Sequence, residues 1–285
     1  MNNTYIIQNQ DAADFLELLR NKYATRIEKS FQGMRRYYDT FDWRVYNSQM
    51  QFYSEEKNFT LVLQDTDRNI ETIHLSRRPV FISDIPDKSN IHKYLRPVIQ
   101  VRALSRIQSV QVAINKIKIL NKDEKTIAFV ITETCYFNNA TTYLLIKIMP
   151  LRGYENQAAK IERWFKKLEI LSSSTDIFNL VCEFGKEIPG SYSSKLKIEL
   201  QPESSVAEAV HTIHKNLHAV MQQNENGIIK DIDTEFLHDF RVAARKSRSL
   251  LSQVKGVLKP EISSKLQGHL KTLGRMTNDL RDLDV

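Results

Sequence analysis

The chain has 285 residues, enough for about two domains of ordinary size. Hydrophobic residues make up 41% and only 8 positions are glycine, which excludes a disordered, collagen-like or mucin-like chain. Lys and Arg outnumber Asp and Glu by 41 to 34, a formal net charge of +7, so an acidic, solvating chain is excluded as well.

Residues 4–7 read as a short strand. Residues 11–23 read as a helix, with Asp11 as its N-cap and Ala12, Phe15, Leu16, Leu18 and Leu19 on its apolar face. Residues 24–75 show strand-like alternation in three or four segments, broken by polar turns at 55–58 and 65–69. A Pro-bounded connection (77–86) and a short helix (91–99) follow. Three long strands come next, 106–120, 126–137 and 142–149, with turns at 121–125 and 138–140. In the first of them Val110, Val112 and Ile114 share one parity, whereas Ile117 and Ile119 take the other. That switch predicts a bulge or strong coiling. Residues 154–171 read as a helix with Ile161, Trp164, Phe165 and Leu168 on one face.

The pattern changes at Gln201-Pro202, which predicts a strand-rich antiparallel domain over 1–200 and an all-helical domain over 201–285. In the second, Ser204 or Ser205 caps a helix running to about residue 223. A loop spans 224–234, and helices cover about 234–258 and 260–282. Cys135 and Cys182 lie in apolar segments and read as buried thiols of a reducing compartment. The N-terminus lacks a charged segment followed by an apolar core, and the most apolar run, 143–151, is short and contains Lys147. Neither a secretory leader nor a membrane span is therefore expected, and the expected location is the cytoplasm.

Charge is concentrated at the end of the chain. Residues 236–285 carry ten basic and five acidic side chains, so they supply +5 of the +7. Read as a helix, residues 236–251 set His238, Arg241, Arg245 and Arg248 within about 80° of arc. Phe240, Ala243, Ser247, Leu250, Leu251 and Val254 lie on the other, packing side. Like charges at i,i+4 repel, so a stripe of one sign costs stability unless a multivalent anion sits on it. On the next helix Lys271, Arg275 and Asn278 fall on one line, with Lys265 and His269 extending it loosely. Leu266, Leu270, Leu273 and Leu280 form its packing side. If the two helices pack antiparallel, the basic stripes border one groove. Arg suits such a ligand because its planar fork holds two phosphate oxygens at once. The expected ligand-binding set is His238, Arg241, Arg245, Arg248, Lys271 and Arg275, with His238 adding charge when protonated.

The block Phe236-Leu237-His238-Asp239-Phe240-Arg241-Val242-Ala243-Ala244-Arg245, followed by Leu273-Gly274 and Leu280-Arg281-Asp282-Leu283-Asp284-Val285, resembles the CHAD family, the conserved histidine α-helical domain. Upstream, Tyr37-Tyr38-Asp39-Thr40-Phe41-Asp42-Trp43-Arg44 and the stretch from Val101-Arg102-Ala103-Leu104 to Glu133 resemble the CYTH-type triphosphate tunnel fold in a divergent form. Together these resemblances imply an α+β chain: an N-terminal antiparallel β-barrel enclosing a tunnel, then an incomplete α-helical bundle with a basic surface. They also imply binding of inorganic polyphosphate and a place on polyphosphate granules in prokaryotic cytoplasm. A CHAD bundle is longer than the residues after 200, so the expectation is either a fragment or a truncated helical domain. An incomplete bundle would expose apolar surface and self-associate.

Catalytic members of the CYTH group open with Glu-x-Glu-x-Lys, whose alternation sends two acids and a Lys into the tunnel to hold Mg²⁺ or Mn²⁺ and phosphate. Here the strand reads Thr4-Tyr5-Ile6-Ile7-Gln8-Asn9-Gln10, with neither. The expectation is therefore a binding protein without catalytic residues, metal or cofactor. The alternative is a metal-dependent inorganic triphosphatase acting in the tunnel with Mg²⁺ or Mn²⁺, with Glu133 as a remaining acid. Arg35, Arg36, Arg77, Arg106, Lys116 and Lys118 could line such a tunnel, about half of them pointing inward by strand alternation. His211, His214 and His218 share a helix face with Glu208 at metal-compatible spacing, but three histidines on a helix are more often a polar surface. Nucleic acid is the disfavoured partner, because the basic stripe carries no interleaved aromatics.

Overall fold

A computed structural model describes residues 4–9, 12–64, 68–137, 141–170, 176–195 and 198–278. The Asp11 cap, the turn at 138–140 and the segment from Leu280 to Val285 lie outside these residues.

Eight strands form one sheet: β1 (Thr4–Gln8), β2 (Ala24–Asp39), β3 (Met50–Glu55), β4 (Asn58–Leu63), β5 (Arg68–His74), β6 (Ser105–Leu120), β7 (Thr126–Tyr136) and β8 (Thr142–Pro150). Their order is β1-β8-β7-β6-β2-β3-β4-β5, and the described ladders are antiparallel. Among the described residues no ladder joins β1 to β5, so the sheet keeps two edges. The helices are α1 (Ala12–Lys22), α2 (Arg44–Asn47), α3 (Asn90–Ile99), α4 (Glu155–Lys167), α5 (Ile177–Phe184), α6 (Val206–Ile229), α7 (Thr234–Gln253) and α8 (Pro260–Met276). The chain is thus α+β, an antiparallel sheet followed by helices. No described helix is long and apolar enough to cross a membrane.

The chain forms two compact units. One comprises Met1–Tyr38, Gln49–Arg78 and Arg106–Pro189; the other comprises Asp39–Ser48, Pro79–Ser105 and Gly190–Val285. The second unit gathers two short segments from before residue 190 around the helices.

In the first unit, β1, β6, β7 and β8 bury one face against α1 and α4. Tyr5 and Phe15 meet the Phe165 ring edge-on at 5.0 and 5.6 Å, and Ile117, Ile119, Val130, Leu144 and Ile161 fill the space around them. The β6–β7 ladder keeps register from Gln111 to Ile119 and shifts only between Ile119 and Leu120. The bulge expected near residues 114–117 is absent from that ladder. Val110 and Val112 are buried on one parity and Ile117 and Ile119 on the other, because the two halves of this long strand bury opposite faces. Tyr37 and Tyr38 are core residues, and both cysteines are buried and outside any disulfide.

In the second unit, the buried Asp39 carboxylate organises α2 by accepting from the backbone N–H of Thr40, Val45 and Tyr46. Burial pushes its carboxyl up to about 7 against those three donors. Ser205 caps α6 in a reciprocal box with Glu208. This helix continues through the expected loop to Ile229. Asn224 is fully buried and donates to Val220 O and to the Tyr192 hydroxyl. Gly227 lets α7 come close: a Cβ there would lie 2.1 Å from the Phe236 ring. Both residues read as helix breakers, but here they serve packing. Gly227→Ala is expected to destabilise the fold, since overpacking of about 1–3 kcal/mol outweighs the ~1 kcal/mol gain in helix propensity. Denaturant unfolding of the pair checks it.

α6, α7 and α8 run up, down and up. Leu217, Met221, Phe240, Ala243 and Ala244 form their common core, with Leu270 packed against it. α7 stops at Gln253 rather than near 258; Gly256 then takes a left-handed conformation and Pro260 opens α8. Of the described residues on the expected packing side of α8, Leu270 alone joins that core, while Leu266 and Leu273 are exposed along with Ile262 and Met276.

Candidate anion-binding cleft

α7 and α8 pack antiparallel and border a cleft of about 540 Å³. His238, Arg241, Arg245 and Arg248 line it from α7, and Lys271 and Arg275 from α8, so all six residues expected from the sequence meet at one place. Leu237, Phe240, Val242, Ala244, Leu270 and Leu273 supply its apolar lining. Arg245, Arg248, Lys271, Arg275 and His238 are exposed, and Arg241 is half-buried. The α7 row runs over ten residue steps from His238 to Arg248, about 15 Å at a helical rise of 1.5 Å.

The electrostatics of this cleft are one-sided. Glu235 is the sole carboxylate among its described lining residues, and its Oε2 accepts from Arg44 Nη2 at 3.1 Å. Among the described residues Arg245, Arg248, Lys271 and Arg275 have no carboxylate partner. Arg241 is engaged differently. Its Nη1 donates to Gly274 O (3.1 Å) and Thr277 Oγ1 (2.6 Å), and its Nη2 donates to Asn278 Oδ1 (2.9 Å). Lys265 and His269, the loose extension of the α8 stripe, do not line the cleft.

The family comparison bears on these same helices. Residues 212–285 match the CHAD domain family. The match begins in the second turn of α6 and takes in α7, α8 and the cleft, about a quarter of the chain. Nothing among curated proteins matches. The solved structures similar to this chain include three of low identity. HpAC1 from Hippeastrum, described with a dominant triphosphatase activity, is 11% identical, covers 68% of this chain and 100% of its own, and has a TM-score of 0.41. PH1819 from Pyrococcus horikoshii is 8% identical, with 63% and 98% covered and a TM-score of 0.33. A Bacillus halodurans protein, bh2851, is 12% identical, with 61% and 94% covered and a TM-score of 0.35.

Next to the cleft lies a buried ionic network that the sequence did not reveal. Asp239, next to His238 in the motif, points away from the cleft and is 6% exposed. Its Oδ2 accepts from Arg102 Nη2 at 2.7 Å and from the Tyr192 hydroxyl at 2.9 Å. Arg102 is fully buried and also donates to Asp233 Oδ1 (3.1 Å) and Asp42 Oδ2 (3.3 Å). Asp233 is the N-cap of α7, accepting from Glu235 N, and it accepts from Ala103 N as well. Burial alone would raise the Asp42 carboxyl, but the Thr40 hydroxyl and the guanidiniums of Arg102 and Arg44 hold it below the ordinary carboxylate value. Burial pushes the Tyr192 hydroxyl well up, which keeps it a donor to Asp239. The acids gathered at the start of α7 also complement its dipole. The basic helix is therefore anchored by residues 42 and 102, far outside the CHAD match.

The histidines of α6 do not converge. His211 and His218 are exposed, while His214 Nδ1 lies 2.8 Å from Ser247 Oγ of α7 and burial lowers its proton affinity. In the sheet unit, Arg35 is buried between Glu133 (Nη1–Oε1, 2.6 Å) and Glu55 (Nη2–Oε1, 2.6 Å) and sits 4.5 Å from the Tyr53 ring centre. Lys116 and Lys118 share Glu28. Glu133, the acid left for a metal, is thus committed to a guanidinium. Among the described residues no group of three or more His, Cys, Asp or Glu is arranged to hold a metal ion. These residues do not fit a Mg²⁺ or Mn²⁺ centre of the tunnel type.

Proposed function

We propose that the chain binds inorganic polyphosphate in the α7–α8 cleft and acts as a binding protein rather than as a triphosphatase. One observation carries this reading. His238, Arg241, Arg245, Arg248, Lys271 and Arg275 share a cleft whose sole described carboxylate is taken up by Arg44. Cations held close together without counter-charges repel one another, and a polyanion removes that cost. Charge-assisted hydrogen bonds and release of the polymer's counterions then add affinity. Among the described lining residues Phe240 is the sole Phe, Tyr or Trp and is buried, which disfavours the base stacking that single-stranded nucleic acid uses. The proposed setting is the cytoplasm, at polyphosphate granules.

Retention of the intact chain on immobilised polyphosphate, heparin and single-stranded DNA, compared across a salt gradient, tests this. The reading requires elution from polyphosphate at clearly higher salt than from DNA or heparin. Equal elution from all three would reduce the cleft to a non-selective basic surface.

A further inference from the structure

The six basic residues of the cleft are not equivalent. Arg241 has three of its donor contacts on the last turn of α8: the Gly274 carbonyl, the Thr277 hydroxyl and the Asn278 side-chain oxygen. The last four carbonyls of a helix have no intrahelical partner, and they form the negative end of its dipole. A guanidinium supplied from α7 satisfies one of them and bonds two side chains beyond it. Thr277 Oγ1 in turn donates to Leu273 O, so the contact reaches back into the helix. Elsewhere α8 is held more loosely: none of its residues is fully buried, Leu270 is its one partly buried contribution to the shared core, and Gln267 Nε2 donates to Leu251 O of α7 at 3.2 Å. Beyond Gln267, the position of Lys271 and Arg275 opposite the α7 row therefore depends on the Arg241 contact. Arg245, Arg248, Lys271 and Arg275, by contrast, have no described carboxylate partner.

We infer a division of labour: Arg241 is a positioning residue that latches α8 to α7 and sets the cleft, while Arg245, Arg248, Lys271 and Arg275 carry the anion. The inference rests on the polyphosphate reading for its second half; the latch stands on the hydrogen bonds alone. Four anion-bearing cations give a log–log salt slope of about −3, taking ~0.7 per neutralised charge on a single strand.

Two latch variants leave the net charge unchanged. Arg241→Lys keeps the charge but not the fork, and Thr277→Val with Asn278→Ala removes two of the acceptors without touching any cation. Arg245→Gln removes one anion-bearing charge. In the intact protein without ligand, hydrogen exchange of the last turn of α8 is expected to speed up about tenfold or more in both latch variants, as for loss of a charge-assisted bond. With inorganic polyphosphate as the probe, both latch variants are expected to bind about tenfold more weakly at an unaltered salt slope. Arg245→Gln should instead flatten the slope by about 0.7 and leave α8 exchange alone. Wild-type exchange and wild-type affinity in both latch variants would overturn the latch. A flattened slope in Thr277→Val/Asn278→Ala would overturn the division of labour. Absence of polyphosphate binding by the wild type would remove the proposed function and the anion-bearing role of the four cations, while the exchange measurement still decides the latch.

Discussion

Arg102→Met is expected to cost about 3–5 kcal/mol of folding stability, the usual penalty for removing one partner of a buried ion pair. That is a large share of the ~5–15 kcal/mol that holds a typical domain together. The guanidinium is fully buried and is the shared partner of Asp42, Asp233 and Asp239. Without it, carboxylates of similar sign face one another out of water, and the cap of α7 loses one of its supports. Arg102→Lys should recover only part of the loss, because a single ammonium cannot reproduce the three-way fork. Urea unfolding followed by circular dichroism measures both. A cost below about 1 kcal/mol for the methionine variant would mean that the network is not what anchors the basic helix.

The second large effect falls on binding instead of stability. Arg245→Ala combined with Arg248→Ala should weaken polyphosphate binding by about 100-fold at low salt, roughly tenfold per charge-assisted contact. Both side chains are exposed and have no described carboxylate partner, so unfolding free energy should stay within about 0.5 kcal/mol of the wild type. Fluorescence anisotropy with labelled polyphosphate reads the affinity, and denaturant unfolding serves as the control. The two variants separate the layers of this unit. Arg102 acts on the platform, and Arg245 with Arg248 on what the platform displays.

Much of this arrangement was legible in the sequence because it is written in short-range periodicity. The spacing 238, 241, 245, 248 fixes one face of a helix whatever surrounds it, and the Ser205–Glu208 box announces the start of α6. The strands were similarly visible, from alternation and from polar turns. What escaped depends on partners distant along the chain. Asp239 sits at the border of the packing face, but its partner Arg102 is 137 residues away, and no local pattern links them. Asn224 and Gly227 were read as a loop because their intrinsic preferences oppose a helix; burial against Tyr192 and Phe236 overrides those preferences. The parity switch in β6 suggests a bulge or strong coiling, because the sequence cannot tell which half of a long strand is covered on which side. The engagement of Arg241 with α8 was hidden for the same reason: an arginine stripe looks alike whether a member meets a ligand or a helix end.

The proposed anion lies between α7 and α8. Arginine-selective modification of the intact chain, read residue by residue by mass spectrometry with and without inorganic polyphosphate, tests it most directly. Protection of Arg245, Arg248 and Arg275, with the exposed sheet-unit residues Arg26 and Arg152 still reactive, is the predicted result. Protection of Arg26 or Arg152 while the three cleft arginines remain fully reactive would contradict it.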